Sequence, residues 1–544
     1  MNERTESNAR KESAPLHCVV GSGPAGVACA HALLERGATV LLLDAGIGLE
    51  PARADLVAQM RTSPPSGWTS QQIGRLKEGT EVSPKGLPLK LVYGSDFPYR
   101  DGGLFAPASY AGLDLRPSLA RGGLSNVWGA AMLPYRQADL AGWPIDVSLL
   151  APHYEAVLKL TGLSARKDDL EALFPLYYDQ PGPADLSRQS SLLLRRLECR
   201  REPLRGAGIH FGQARLAMRA PQPSGQAGCV YCGMCMYGCP YGYIYNSAGT
   251  LEELRKQPRF TYRPDAVVAR VAELGAAVQV EGLHRVTGEP FALKASRVYL
   301  AAGVIPSTAI LLRSLNRYDQ PVWLKDSQYF LFPLALARSA GDVTRESLHT
   351  LSQLFVEILD ATISPHTVHL QVYSYNDLIG QAVRQSLGPL AGVLEGLARS
   401  LERRLLIIQG YLHSDHSARI CATLKKAGDG ADRLELRAET RSETRAVIGR
   451  VIRKLLRHAW QFGGAPVSPM LQVAKAGRGF HTGGAFPMSI SPAPNETDTL
   501  GRVPGWQRVH AVDATVLPAI PATTITLSVM ANAHRIGWDS ATLP

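Results

Sequence analysis

The sequence predicts an α/β protein in which a Rossmann-like dinucleotide-binding domain is interleaved with a second domain built on a mostly antiparallel β-sheet (α+β). Three observations carry this prediction: a glycine-rich turn inside one complete βαβ unit near the start, period-two alternation through the middle, and a length of 544 residues, beyond what one hydrophobic core usually supports.

The βαβ unit comes first. Residues 16 to 20 read as a buried strand, followed by Gly21-Ser22-Gly23-Pro24-Ala25-Gly26, an alanine-rich helix ending near Gly37, and a second strand from Thr39 to Leu43 that stops at Asp44. Gly21 permits the tight turn, Gly23 lets backbone approach a pyrophosphate, Gly26 lets helix and strand pack, and Pro24 suits a first helical turn. A bare GxGxxG is a weak signal; here strand, helix, second strand and acidic residue all fall where the mechanism requires. Asp44 would accept from a ribose hydroxyl and repel a 2′-phosphate, so the ligand is FAD or NAD rather than NADP.

Composition excludes several classes. The apolar fraction of 45% is that of a soluble globular protein, and a net charge of +11 with pI near 9.2 favours anionic cofactors or acidic substrates. The basic residues are scattered, and the densest group, Arg441 to His458, has helical spacing, so no nucleic-acid partner is expected. Met1 to Pro15 is polar without a signal-like apolar stretch, and no run reaches membrane-span length; a cytoplasmic protein with no transmembrane segment is expected. Leu387 to Leu412 contains an amphipathic helix bearing Arg399, Arg403 and Arg404. No repeat is visible, and Pro181-Gly182-Pro183 and Pro221-Gln222-Pro223 look like connections between domains. Val322 to Val383 alternates as strands do, as in His366-Thr367-Val368-His369-Leu370-Gln371-Val372-Tyr373, and an antiparallel substrate sheet is placed there.

Arg121-Gly122-Gly123-Leu124-Ser125-Asn126-Val127-Trp128-Gly129 supplies paired glycines whose amides can reach an anion, with Ser125 and Asn126 able to bond near a ring system. In order and spacing, this motif, the first glycine turn and the C-terminal His481-Thr482-Gly483-Gly484-Ala485-Phe486-Pro487-Met488 together resemble the glucose-methanol-choline (GMC) oxidoreductase family over nearly the whole chain. The resemblance implies FAD wrapped by both glycine turns. In pyranose-oxidase-like members a histidine matching Val127 is joined to the flavin; valine has no nucleophile, so the FAD should be non-covalent.

Gly142-Trp143-Pro144-Ile145 and Leu150-Ala151-Pro152-His153-Tyr154 resemble the entry into the substrate domain. Val267-Val268 resembles the strand that contacts adenine, Ala301-Ala302-Gly303 the strand end closing over the dinucleotide, and Asp513 with Ala514 a flavin-side contact. The implied FAD domain is discontinuous, over 15–135, 225–320 and 475–544, with the substrate domain at 136–224 and 321–474 and a flexible polar N-terminus at 1–14.

The resemblance gives His481 the role of base, taking the substrate hydroxyl proton while hydride leaves carbon for flavin N5; an imidazole suits that task near neutral pH. One departure stands out. Ile520 occupies the place where relatives usually carry a second histidine or asparagine, and isoleucine cannot hold a substrate oxygen. Thr523 or Thr524 substitutes, or the alignment slips, or the chemistry is not ordinary alcohol oxidation.

Cys229-x-x-Cys232-x-x-Cys235-x-x-x-Cys239-Pro240 has bacterial ferredoxin spacing, which can wrap thiolates around an iron-sulfur cluster, [4Fe-4S] or [3Fe-4S]. A single zinc prefers two separated knuckles, and disulfides are disfavoured without an export signal. The competing reading is a family loop that holds no cluster. Cys239 could be spare, with Cys199 or Cys421 as a remote ligand, and Cys18 and Cys29 look like core thiols.

The expectation is therefore an FAD-dependent dehydrogenase oxidising a CH–OH group of a polar small molecule such as a sugar, with electrons leaving through a cluster toward an acceptor protein. Two alternatives stay open: a non-redox flavin lyase or isomerase, and an electron-relay subunit.

Overall fold

In the computed structural model, which describes residues 16–80, 89–104, 108–179, 181–221, 225, 227–390, 392–426 and 432–543, the opening motif forms β1 (Leu16–Val20), α1 (Pro24–Glu35) and β2 (Thr39–Leu43). The polar segment 1–14, together with Gln222 and Pro223 of the second proline connection, lies outside the described residues. Sterics explain the turn. Gly21 has φ of +103°, and a Cβ there would stand 2.5 Å from the Ala301 carbonyl oxygen, while one on Gly26 would stand 1.9 Å from the Gly21 oxygen. Helix and strand thus approach at a distance only glycine permits. At Gly23 an added Cβ would meet nothing within 4 Å, so space opens where α1 begins.

β1 is the centre of a five-stranded parallel sheet ordered Val509–Ala511, Arg297–Leu300, β1, β2, Phe260–Arg263. Strands from both ends of the chain therefore build one layer. The C-terminal helix Thr526–Ser540 covers α1, and a Cβ on its Gly537 would lie 2.9 Å from the Cys29 carbonyl oxygen. Cys18 and Cys29 are fully buried in this core.

The second body is a seven-stranded sheet whose main path runs Gly464–Pro466, Tyr329–Leu336, Leu405–Tyr411, Val368–Tyr373, Leu354–Ile358, Ile209–Gln213, antiparallel throughout. Its two faces differ in chemistry. Phe330, Phe332, Leu370, Val372 and Ile408 point into an apolar core shared with the helix Glu443–Arg457, the segment whose basic residues have helical spacing. The opposite face aligns Tyr329 with Tyr411 and His369, and Gln409 with Gln371, in the next row. The helix read into Leu387–Leu412 is shorter, Glu395–Glu402, because Leu405-Leu406-Ile407-Ile408 is an apolar run that pairs as a strand of this sheet. Arg399 remains on that helix, 2.9 Å from Glu395.

A five-stranded sheet (Thr482–Gly483, Val322–Asp326, Arg419–Lys426, Asp432–Glu439, Ala108–Ala111) and a three-stranded meander beginning at Ala266 complete the fold. Among the described residues, no helix is long and apolar enough to cross a membrane.

Replacing Gly26 tests the contact between α1 and β1. Gly26→Ala forces its methyl against the Gly21 carbonyl, where backbone must move, and overpacking of this kind costs about 1–3 kcal/mol or more. The urea midpoint should fall accordingly; an unchanged midpoint would show that the turn is not held by this approach.

Candidate active site

A groove runs along the C-terminal edge of the parallel sheet, and Gly21, Gly23, Asp44 and Gly123 line its floor. Val268, Ala302, Asp513 and Ala514 line it farther along. Gly26 lies behind the groove, in the packing contact described above. Asp44 is buried; the Ser22 hydroxyl donates to its Oδ2 at 2.5 Å and the Tyr262 hydroxyl does so at 3.2 Å. Burial pushes the Asp44 carboxyl up to about 6, against the pull of those hydrogen bonds. Asp513 accepts from the Gly303 amide at 2.9 Å and the Ser307 hydroxyl at 2.5 Å, which ties the C-terminal segment to the end of the Arg297–Leu300 strand. Its carboxyl too is raised by burial.

The second glycine turn docks on the first. Gly122 has φ of +84°, its amide donates to the Ser22 Oγ at 2.9 Å, and a Cβ on Gly123 would stand 3.3 Å from the Gly23 Cα. Ser125 and Asn126 hold the turn's shape. The Ser125 hydroxyl donates to the Gly122 carbonyl at 2.6 Å, and the Asn126 amide donates to the carbonyls of Arg121 and Gly123 at 3.0 and 2.7 Å. Ser125 also borders the adjoining cavity, which Asn126 does not.

Asn246 and Ser247 complete the clamp. The Asn246 amide donates to Asn126 at 2.7 Å, and the Ser247 hydroxyl lies 2.9 Å from the Gly122 carbonyl and 3.1 Å from that of Ser22. Sequence reading missed both. Their local signal is the N-cap of the helix Ser247–Leu254, which says nothing of a partner more than a hundred residues away.

The groove opens into a chamber, and Pro24, Leu124, Phe480 and Thr526 line both. His481 forms part of the chamber wall, stacked on Tyr411 with ring centroids 4.9 Å apart. Its Nδ1 is buried without a hydrogen-bond partner, which leaves Nε2 as the nitrogen able to meet a ligand. Burial, with His369 nearby, holds the imidazole down to about 4, so it is neutral at pH 7. The carrying loop is anchored by buried Asp326, which accepts from the Thr482 hydroxyl at 2.9 Å and the Gly477 amide at 2.8 Å; the Ser327 amide donates to the His481 carbonyl at 3.0 Å. Phe480 adopts φ of +56°, a strained conformation held from both sides.

The sheet supplies the facing wall: Gln371, Gln409, Tyr329, Tyr373 and Tyr411. A hydrogen-bonded chain runs into it. His369 donates through Nδ1 to Glu357 at 2.6 Å, the Gln371 amide donates to His369 Nε2 at 3.1 Å, and the Tyr373 hydroxyl donates to the Gln371 carbonyl oxygen at 3.0 Å. These residues escaped sequence reading, although a glutamine inside each of two apolar strands was the available signal. Thr524 lines the chamber, whereas Thr523 is fully buried outside it. Ile520 borders neither cavity; it packs behind Gly483, where an added Cβ would lie 3.0 Å from its Cδ1.

Cys229, Cys232, Cys235 and Cys239 all line one small cavity, none of them in a disulfide, with Met218, Ile244, Tyr241 and Tyr243 as its apolar shell. Main-chain amides donate to three sulfurs: Tyr231 to Cys229 at 3.4 Å, Thr350 to Cys235 at 3.4 Å and Tyr243 to Cys239 at 3.3 Å. Burial pushes the Cys229 and Cys232 thiols up to about 12. The same loop sends Met236 into the His481 chamber, beside Lys90, whose ammonium donates to the Trp128 carbonyl at 2.9 Å and is held down to about 8 by burial. Cys199 is exposed and Cys421 lies on the Arg419–Lys426 strand; neither borders the cysteine cavity.

A family model for the NAD(P)-binding Rossmann-like domain matches residues 19–49. Among curated proteins, 6'''-hydroxyparomomycin C oxidase of Streptomyces lividus is 25% identical over 321 residues, 56% of this chain; the chain thus matches about half (50%) of that relative's length. Among solved structures, pyridoxine 4-oxidase from Mesorbium loti superposes with a TM-score of 0.57 at 14% identity, covering 97% of this chain and 99% of that one. A formate oxidase gives a TM-score of 0.60 at 14% identity, covering 97% and 98%. These neighbours are GMC-family oxidases, and the resemblance read from the motifs holds at the level of the fold.

Asp44 gives a test in the ligand-free protein. A carboxyl whose folded pKa lies above its unfolded value favours the folded state at low pH, and that advantage is lost as pH rises from 3.8 through about 6. Asp44→Asn removes the titration. At ~1.4 kcal/mol per pH unit, its unfolding free energy relative to wild type should improve by about 3 kcal/mol across that window. Urea midpoints at both ends measure it, and a constant difference would rule out burial as the cause.

Proposed function

We propose that the chain is an FAD-dependent oxidoreductase that oxidises a CH–OH group of a polar small molecule, with His481 as the base. The observation that carries this reading is the continuity of the dinucleotide groove with the His481 chamber across Pro24, Leu124, Phe480 and Thr526. The groove suits FAD. Gly23 leaves open space at the helix N-terminus, where amides favour a pyrophosphate, and Asp44 stands ready for ribose hydroxyls. Val127 borders the chamber without a nucleophile, in keeping with non-covalent binding. When bound, the flavin supplies a two-electron acceptor for the hydride that leaves the substrate carbon.

The chain's own residues account for the rest. With its proton on Nδ1, His481 presents the Nε2 lone pair to the substrate hydroxyl and takes its proton. Gln371, Gln409 and Thr524 offer the polar contacts that Ile520 cannot, so ordinary alcohol oxidation needs no residue at that position. Arg478 and Lys90 add positive charge to the wall, which suits a substrate with acidic or many hydroxyl groups. The curated relative's name describes an oxidase of 6'''-hydroxyparomomycin C, and a substrate rich in hydroxyl groups, such as a sugar, fits this wall. The division into discontinuous FAD and substrate domains follows the same reading.

Electron exit distinguishes an oxidase from a dehydrogenase. The cysteine cavity suits a cubane iron-sulfur cluster: four sulfurs face one space, amides donate toward three of them, and Lys90 favours an anionic occupant. A cluster here, one short loop from the chamber, would pass single electrons to an acceptor protein.

His481→Ala should retain FAD yet lower the rate of anaerobic flavin reduction by about 10²–10⁴. The acid limb of kcat/KM in the wild type should fall near pH 4 rather than at the ordinary 6.5, because the base form persists down to the depressed pKa. Unimpaired reduction in the variant refutes the assignment. For the cluster, protein purified without oxygen should contain iron that is lost in Cys232→Ser with Cys235→Ser, while flavin reduction survives better than delivery to an acceptor. Iron-free wild-type protein would leave the loop as packing alone.

A further inference from the structure

On the side of α1 that faces away from β1, His31 and Glu35 stand one helical turn apart and look toward the C-terminal helix, which brings His534 to the same point. Nδ1 of His31 and Nε2 of His534 each lie 3.3 Å from one carboxylate oxygen, Glu35 Oε2. Neither nitrogen makes a hydrogen bond, and both are sealed from solvent. Two unsatisfied buried imidazole nitrogens are costly, and ordinary ion pairing would have turned at least one into alignment with the carboxylate. All three atoms lie within 4.8 Å of one another.

We propose that His31, Glu35 and His534 form a binding site for a divalent transition-metal ion of the zinc class. Metal–nitrogen and metal–oxygen bonds of about 2.0–2.2 Å put neighbouring ligand atoms of a tetrahedron roughly 3.3–3.5 Å apart, the spacing found between each nitrogen and the Glu35 oxygen. The supporting shell is present as well. His534 Nδ1 lies 2.9 Å from Nδ1 of His153, on the helix Val147–Thr161, which orients the ring and leaves Nε2 for the ion. Glu35 is half exposed and His31 a quarter exposed, so the site lies near the surface, within reach of an ion from solution. The neighbouring cation, Arg36, is drawn aside over the Trp538 ring. An ion here would join α1 to the helix that covers it, apart from the groove, the chamber and the cysteine cavity, and the competing reading is plain helix packing by three histidines and an i, i+4 pair.

Cobalt(II) serves as the probe, because its spectrum reports its ligands. Chelator-stripped, reduced full-length protein should gain one equivalent of weak d–d absorption without sulfur-to-cobalt charge transfer; cobalt in the cysteine cavity would show that charge transfer. His31→Ala and Glu35→Gln alter partly exposed side chains and should fold normally, yet lose at least tenfold in affinity for this thiolate-free signal. Zinc should raise the Tm of the wild type and not of either variant. A wild type without the thiolate-free spectrum, or one whose spectrum survives both substitutions, overturns the site. Neither readout depends on flavin or turnover, so the result is independent of the proposed reaction.

Discussion

The geometry of the candidate site depends on the meeting of two glycine turns a hundred residues apart. The Ser22 hydroxyl is its pivot, donating to Asp44 while accepting from the Gly122 amide. A Cβ on Gly123 would crowd the Gly23 Cα at 3.3 Å, so the turns meet closely through backbone. Asn246 and Ser247 then lock the pair from outside. The cysteine loop lies a few residues before this lock in sequence.

Burying carboxylates beside the groove is expensive. Asp44, Asp326 and Asp513 are all buried and all raised, Asp326 to about 7, with hydroxyls and amides only partly offsetting the lost hydration. None has a salt-bridge partner among the described residues. Their use is geometric: each holds a loop that borders the groove or chamber, and a carboxylate accepting two or three donors fixes a loop more firmly than apolar contact does. The same arrangement leaves part of the stability dependent on pH and on whatever fills the groove.

How much of this could be read from the sequence follows from the range of each interaction. The first turn was readable because Gly21, Gly23 and Gly26 answer to constraints within six residues, with an acid one strand later. His481 could be singled out only through its motif, since a buried histidine has no local signature of its own. Gln371 and Gln409 were not readable: alternation places them on one face of their strands, but which face meets His481 depends on register between strands that pair across long loops. Ile520 is the reverse case. Counting along a motif directed attention to a side chain that the fold turns into the core behind Gly483, and the polar wall comes from another sheet.

The parallel sheet has a consequence for biogenesis. Its order places Val509–Ala511 beside Arg297–Leu300, and helix 526–540 over α1, so the groove is finished by segments made long after β1 and β2. Until then the Arg297–Leu300 strand presents an unpaired edge and α1 an uncovered apolar face, both of which invite pairing with other chains. Removing the helix Thr526–Ser540 should therefore leave that edge and that face open to association rather than give a smaller folded protein.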